Sequence, residues 1–151
     1  GGGDRNTASG TDATVAGGWS NQATAMDAAI GGGYSNLASA QRATVAGGDD
    51  NTASGTAATV AGGYQNAASA NYTTVGGGQQ NAASYLYATI GGGGYNKASD
   101  WYATVAGGSY NEASGDRSAI GGGSSNAVTY NLGTIAGGAS SAPPWNSGIW
   151  G

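Results

Sequence analysis

The sequence predicts an all-β chain, a β-solenoid (β-roll) of 15-residue coils, and three observations predict it. Asparagine recurs at Asn6, Asn21, Asn36, Asn51, Asn66, Asn81, Asn96, Asn111 and Asn126, always in steps of 15. Val or Ile recurs with the same step from Val15, Ile30 and Val45 to Ile120 and Ile135. A Gly-Gly pair follows each of these two residues later, from Gly17-Gly18 to Gly137-Gly138, and Gly2-Gly3 falls in the same column. The repeat reads N-x-A-S-x-x-x-A-T-V-A/G-G-G-x-x and runs through nine steps without insertion or deletion. A stack of equal coils requires such a register, because one extra residue would move every later side chain out of its column.

The first element of each coil is the strand N-x-A-S. Its x column holds Thr7, Gln22, Leu37, Thr52, Ala67, Ala82, Lys97, Glu112 and Ala127, a mixture expected to face water. The next column is Ala8, Ala23, Ala38 and their successors, ending in Val128, and is expected to face inward. Neighbouring strand residues point to opposite faces, which fits this assignment. The Asn column is expected at a turn, where Asn tolerates the left-handed conformation and bonds its own backbone. Stacked amides can also form a ladder.

The second element is the strand T-V-A/G, with Val15, Ile30, Val45 and successors inward and Thr14 and Ala16 with their equivalents outward. The Gly-Gly pair that follows reads as a turn needing positive φ, or as a place where another backbone comes close. It is no phosphate loop, since no G-K-[ST] and no strand-then-helix context follow. About ten coils are expected, near 48 Å tall at roughly 4.8 Å per coil. The array is expected over residues 1–138. Residues 139–151 are expected to form a degenerate terminal coil, a cap or a junction, with Ser141 where Asn is due and Trp150 where Val is due.

Composition narrows the alternatives. Glycine supplies 32 of 151 residues, well above the roughly 7% of average proteins. It does not stand at every third position, and only two prolines are present, which excludes collagen. Two adjacent glycines per coil, with Asn, Ser and Thr, break any helix. Cysteine, histidine and phenylalanine are absent. A disulfide framework, a Cys or His metal site and a Ser-His-Asp triad are thereby excluded; no metal and no cofactor are expected. A net charge of −4 and a pI near 4.1 argue against a nucleic-acid partner. No apolar run is long enough to span a membrane, so no membrane contact by this segment is expected. No signal-peptide pattern is visible, and the opening Gly1-Gly2-Gly3 in mid-pattern suggests a piece of something longer.

One Val or Ile and one Ala per coil is little apolar burial for fifteen ordered residues. Further burial is expected on the outward face of the second strand. Its Thr column is Thr14, Thr44, Thr59, Thr74, Thr89, Thr104 and Thr134, with Ala29 and Ala119 as interruptions. Its second column is uniformly Ala or Gly, including Ala16, Ala46, Ala61 and Ala106. A face that stays small from coil to coil is expected to pack against something flat, either a copy of itself or ice.

The repeat resembles the left-handed β-roll heads of YadA-like trimeric autotransporter adhesins, whose coils have the form N-S-V-A-I-G-x-x-S-x-A-x-G. Thr59-Val60-Ala61-Gly62-Gly63 is similar to S-V-A-I-G, and Asn51-Thr52-Ala53-Ser54-Gly55 to S-x-A-x-G. Similar coils occur in phage tail-fibre shafts. Here Gly replaces the second large core residue, Asn replaces Ser at the turn, and the coil is slightly longer. The resemblance implies a left-handed roll, a parallel homotrimer, an extracellular setting on a cell-surface or virion fibre, and a role in adhesion or fibre building.

Candidate ligand-binding residues are the aromatics, nine Tyr and four Trp. Trp19, Tyr34, Tyr64, Tyr95 and Tyr110 follow the Gly-Gly pairs. Tyr72, Tyr85, Tyr87, Trp101, Tyr102 and Tyr130 lie between the strands. Tyr and Trp suit positions with one apolar side and one wet edge. They either fill gaps between subunits or form platforms for a surface glycan or an extracellular-matrix protein, with Tyr85, Tyr87, Trp101 and Tyr102 the densest group. No catalytic residue is expected. Asp12 and Asp27 stand one coil apart, as paired hydrolase carboxylates could, but their column also holds Arg42, Ala57, Tyr72 and Arg117 and reads as solvated. Asn71-Tyr72-Thr73 is a lone glycosylation sequon. The expected function is a structural and adhesive segment of an extracellular trimeric fibre. The alternatives are a subunit of a self-assembling extracellular filament and an ice-binding solenoid using the Thr column.

Overall fold

The computed structural model describes residues 2–141 and 148–149. Each coil lays down two two-residue strands, beginning with β1 (Thr7–Ala8) and β2 (Thr14–Val15) and continuing to β17 (Ala127–Val128) and β18 (Thr134–Ile135). The odd-numbered strands form one nine-stranded sheet; the even-numbered strands, extended by β19 (Gly148–Ile149), form a ten-stranded one. Every pairing in both sheets is parallel, and up to β18 each residue pairs with the one 15 positions on, as Ala8 with Ala23 and Val45 with Val60. Among the described residues there is no helix. The chain is a parallel β-solenoid, as the period predicts.

A third line of single parallel bridges runs up the stack from Asp4 through Trp19, Tyr34, Asp49 and Tyr64 to Ala139. Each coil turns twice between its strands. Both turns pivot on a non-glycine residue in the left-handed region, at φ 52–60°: Asp12, Asp27 and equivalents at one turn, Arg5, Ser20 and equivalents at the other.

The core lies between the two sheets. The inward Ala column (Ala23 to Ala113, then Val128) and the Val/Ile column (Ile30 to Ile135) are buried throughout. The expected burial of two apolar side chains per coil is too low. Ala28, Ala43, Ala58, Ala88 and Ala103, one residue before the second strand, are also fully buried, as are Thr73 and Ser118 in the same column. The turn points this position back between the sheets, an orientation that strand alternation cannot reveal because the residue precedes the strand. The small Ala side chains of this column fill the space between the sheets together with the Val and Ile column.

The last coil corrects one expectation. The partner of Ile135 is Ile149, and that of Thr134 is Gly148, so the step is 14 rather than 15. The register holds as far as Ser141, whose N–H donates to Asn126 Oδ1 at 2.9 Å. Pro143, Pro144, Trp145 and Trp150 lie outside the described residues.

Candidate functional site

The Asn column is the most ordered polar feature of the molecule. From Asn21 to Asn126 each side chain is at most 1% exposed. Asn66 shows the pattern. Its Nδ2 donates to Gly62 O and to Gly78 O of the next coil, both at 2.9 Å. Its Oδ1 accepts from Asn81 N at 3.0 Å and Asn81 Nδ2 at 3.1 Å. The amide-to-amide contact recurs at Asn6–Asn21 and Asn21–Asn36, whereas the bond repeated at every step runs from the backbone N–H of one Asn to the Oδ1 of the Asn before it. The left-handed turn conformation expected of Asn is absent. That conformation belongs to the preceding residue, for example Gln65 at φ 54°. The physical reason is direction: the amide must point inward between two coils to reach both glycine carbonyls, while the left-handed residue beside it turns its side chain outward.

The Gly-Gly pair also divides its work. The second glycine has positive φ in every coil, near 90° at Gly63, Gly78 and Gly93. A Cβ on Gly93 would land inside the carbonyl of Gly108 and crowd Asn96 Nδ2. The first glycine has more space, since a Cβ on Gly92 would meet nothing within 4 Å, although Gly32, Gly62 and Gly77 also hold positive φ, at 140–152°. Both sequence explanations, positive φ and close backbone approach, therefore apply to the second residue of the pair.

The aromatic candidates divide between the two edges where the coils turn. On the edge leading into the second strand, Tyr72, Tyr87 and Tyr102 form one ladder. Their ring centroids are 5.0 and 4.9 Å apart at 7° and 3°. The Arg117 guanidinium covers the end, 5.6 Å from the Tyr102 ring. Tyr85 and Trp101 lie beside it as a tilted pair, 6.3 Å and 35° apart. On the other edge Arg5, Trp19 and Tyr34 stack in turn, at 5.2 Å and then 4.8 Å. Tyr95 and Tyr110 stack there at 4.7 Å and 4°. Tyr64 follows Tyr34 in its column with Asp49 between them. The structure therefore brings together Tyr85, Tyr87, Trp101 and Tyr102 and sets the other five candidates on the opposite edge.

Stacking changes what these rings offer. A sugar packs on a ring face, and in a ladder the faces are already covered by neighbouring rings. Tyr87 presents only its edge and hydroxyl. The tilted pair Tyr85 and Trp101 leaves more face free, and both residues are nearly half exposed, at 45% and 48%.

Sequence reasoning missed a second feature. Gln80, Tyr95, Lys97, Tyr110, Asn111 and Glu112 line an open groove of about 330 Å³. Lys97 and Glu112 are register partners on adjacent strands, so opposite charges stand side by side next to the Tyr95–Tyr110 stack. Both belong to a column read as freely variable and therefore uninformative; the signal was opposite charge at one 15-residue step. Asn111 contributes wall only, since its Nδ2 is already committed to Gly107 O and Gly123 O.

On the T-x-A/G face, Ala16, Ala46, Ala61 and Ala106 are exposed, as are Thr14 and Thr74, while Thr44, Thr59, Thr89, Thr104 and Thr134 are half-buried. Part of the smallness of the Ala/Gly column is intramolecular. A Cβ on Gly31, Gly76, Gly91 or Gly121 would run into the carbonyl of the coil above. The Ala coils carry their Cβ there without such a clash, and none bears anything larger. No charged residue occurs in any of the nine segments equivalent to Ala13–Gly18; the twelve charged side chains all fall on the two turning edges or on the opposite sheet. Asp12 and Asp27 are exposed on a turning edge, in keeping with a solvated column.

A family model described as "Ubiquitous surface protein adhesin repeat" matches residues 43–55. The matched stretch, Ala43 to Gly55, is a little under one coil and includes β6 (Thr44–Val45), the Gly47-Gly48 turn, Asn51 and β7 (Thr52–Ala53). No curated protein matches the chain.

Proposed function

We propose that this chain is a structural and adhesive segment of an extracellular surface fibre, in which three parallel copies pack through their T-x-A/G faces and turn their Tyr- and Trp-bearing edges outward. The observation that carries the reading is the flat face of the ten-stranded sheet, free of charge and of large side chains over nine coils. Clash with the coil above accounts for the glycines of the Ala/Gly column but not for the absence of Lys and Glu from the Thr column, and the opposite sheet accepts both at Lys97 and Glu112. A packed face excludes them, because a bulky side chain would hold two backbones apart. The match to a surface-protein adhesin repeat supports a surface fibre and an adhesive role. Tyr85 and Trp101 are the first choice for contact with a glycan or matrix protein, because they are adjacent rings whose tilt leaves their faces more open than those of the stacked ladder beside them.

Light scattering of the purified chain tests the assembly, and a mass of three chains is expected. A single-chain mass at micromolar concentration overturns the trimer. A second reading has one observation in its favour: Thr44, Thr59, Thr74, Thr89 and Thr104 stand in an unbroken register on a flat sheet, as an ice-binding face would require. Thermal hysteresis by a single-chain species would favour it.

A further inference from the structure

We propose that Tyr95–Tyr110 and Tyr72–Tyr87–Tyr102 are sites of oxidative cross-linking, where a peroxide-driven one-electron oxidant joins successive coils through dityrosine. All five residues stand at left-handed turn positions, with φ between 54° and 60°. A shared backbone conformation, repeated once per coil, sends the side chains out in parallel. The rings are stacked at 4.7–5.0 Å with interplanar angles of 3–7°. A modest rotation about the side-chain bonds therefore brings ortho carbons of neighbouring rings together. All five are between 39% and 59% exposed, so a soluble oxidant reaches them. The backbone beneath is fixed by main-chain bonds between coils, such as Tyr95 N to Gln79 O at 2.9 Å and Tyr110 N to Gly94 O at 3.0 Å. Each ring thus sees its neighbour at a high effective concentration.

The chemistry balances with hydrogen peroxide as the oxidant and a haem peroxidase as the carrier of electrons. Each of two phenols gives up one electron and one proton, and the peroxide is reduced to two waters. The two phenoxyl radicals couple between ortho carbons, forming one C–C bond. The hydrogen on each coupled carbon then returns to its own oxygen, which restores both phenols. The product has lost two hydrogens. With no cysteine in the chain, this is a covalent tie between coils that disulfides cannot provide. A link between neighbouring coils constrains the unfolded chain and is expected to raise the melting temperature.

The other tyrosines supply the control. Tyr34 stacks on Trp19 rather than on a tyrosine, and Tyr64 and Tyr130 have no stacked partner among the described residues. The test treats the whole chain with a haem peroxidase and hydrogen peroxide, as a mixture of unlabelled and heavy-nitrogen-labelled molecules. Dityrosine fluorescence and peptide mass mapping are then read. The expected result is same-label links joining Tyr95 to Tyr110 and Tyr87 to Tyr72 or Tyr102. Tyr110→Phe should remove the first link and Tyr87→Phe the second, while Phe keeps each stack in place. The double variant should lose the intrachain signal, and Tyr64→Phe with Tyr130→Phe should leave it unchanged. Mixed-label links alone, equal yields from Tyr64 and Tyr130, or tyrosine oxidation without intrachain dityrosine would each overturn the proposal. None of these outcomes depends on trimer formation or on ligand binding.

Discussion

The two turns of each coil solve one problem in different ways. At Gln65 and at Tyr72 the chain reverses through the same left-handed conformation, φ 54° and 60°. Around Gln65 little can change: Gly62-Gly63 precede it, Asn66 follows it, and the same types recur in every coil. Around Tyr72 almost anything is accepted, and equivalent positions carry Asp12, Arg42, Ala57 and Leu132. The difference lies in how the backbone is satisfied. At the outer turn main-chain bonds close most of the loop: around Arg42, Arg42 N donates to Met26 O and Ala43 N to Ala40 O, both at 3.0 Å, while around Tyr72 the Thr73 hydroxyl adds a bond to Ala70 O at 2.6 Å. At the inner turn the Gly62 carbonyl depends on the Asn66 amide, which also reaches Gly78 O beside the Tyr64 N–H. Sequence uniformity along this chain therefore marks where a side chain completes the backbone's hydrogen bonding, at Asn66 and its equivalents; the outward left-handed residue varies at both turns and carries aromatic and charged groups at each, as at Arg5, Tyr95 and Tyr110 or at Tyr72, Tyr102 and Arg117.

The comparison can be broken most severely at the second glycine. Gly93→Ala puts a Cβ into the Gly108 carbonyl at φ 90° and is expected to cost more than about 4 kcal/mol in denaturant unfolding, the range reserved for specific steric failures. Its neighbour Gly92→Ala, with open space around the new methyl group, should stay within roughly 1 kcal/mol of the parent or gain slightly. Equal losses at both positions would show that the pair acts through chain flexibility instead.

Asn66→Ala comes next. It strands the carbonyl of Gly62 and the N–H of Asn81 and leaves Gly78 O with the Tyr64 N–H alone, for an expected cost of about 2 kcal/mol at roughly 1 kcal/mol per stranded group. An unchanged melting temperature would mean that the ladder is incidental.

The smallest effect belongs to the outer turn and has the opposite sign. Ala57 is held at φ 54°, where an L-residue with a Cβ is disfavoured by roughly 1 kcal/mol. Ala57→Gly should therefore stabilise the chain by up to about 1 kcal/mol, measured in the same unfolding experiment. A loss at Ala57 equal to that at Asn66 would erase the distinction between the turns.

Much of this was legible beforehand. The columns of Ala8, Val15 and Thr14 gave the strands, their inward and outward faces and their register, because alternation on a strand is strict. The buried column of Ala28 and Ala43 was not read as core, since it lies in the turn where alternation says nothing. The left-handed positions at Gln65 and Tyr72 were invisible because no residue type marks them. Asn was assigned to the wrong side of the turn for a related reason: its local preference pointed to a conformation that the inward pull of two glycine carbonyls overrides. The pairing of Ile149 with Ile135 escaped because its step is 14 rather than 15. Among the candidate site residues, the grouping of Tyr85, Tyr87, Trp101 and Tyr102 could be read from stacking of the repeats, whereas the covering of ring faces needed coordinates. Lys97 and Glu112 were passed over as members of a mixed column.

The central claim is that the T-x-A/G face is covered by copies of the same chain, and one paired measurement tests it directly. Ala61→Arg places a long charge at the centre of that face; Ala67→Arg places the same charge on the outward column of the opposite sheet, where Lys97 and Glu112 already stand. Masses of both variants and the parent by light scattering should show the parent and Ala67→Arg as three-chain assemblies and Ala61→Arg as single chains. A parent that is already a single chain, or three-chain masses for both variants, would contradict the account.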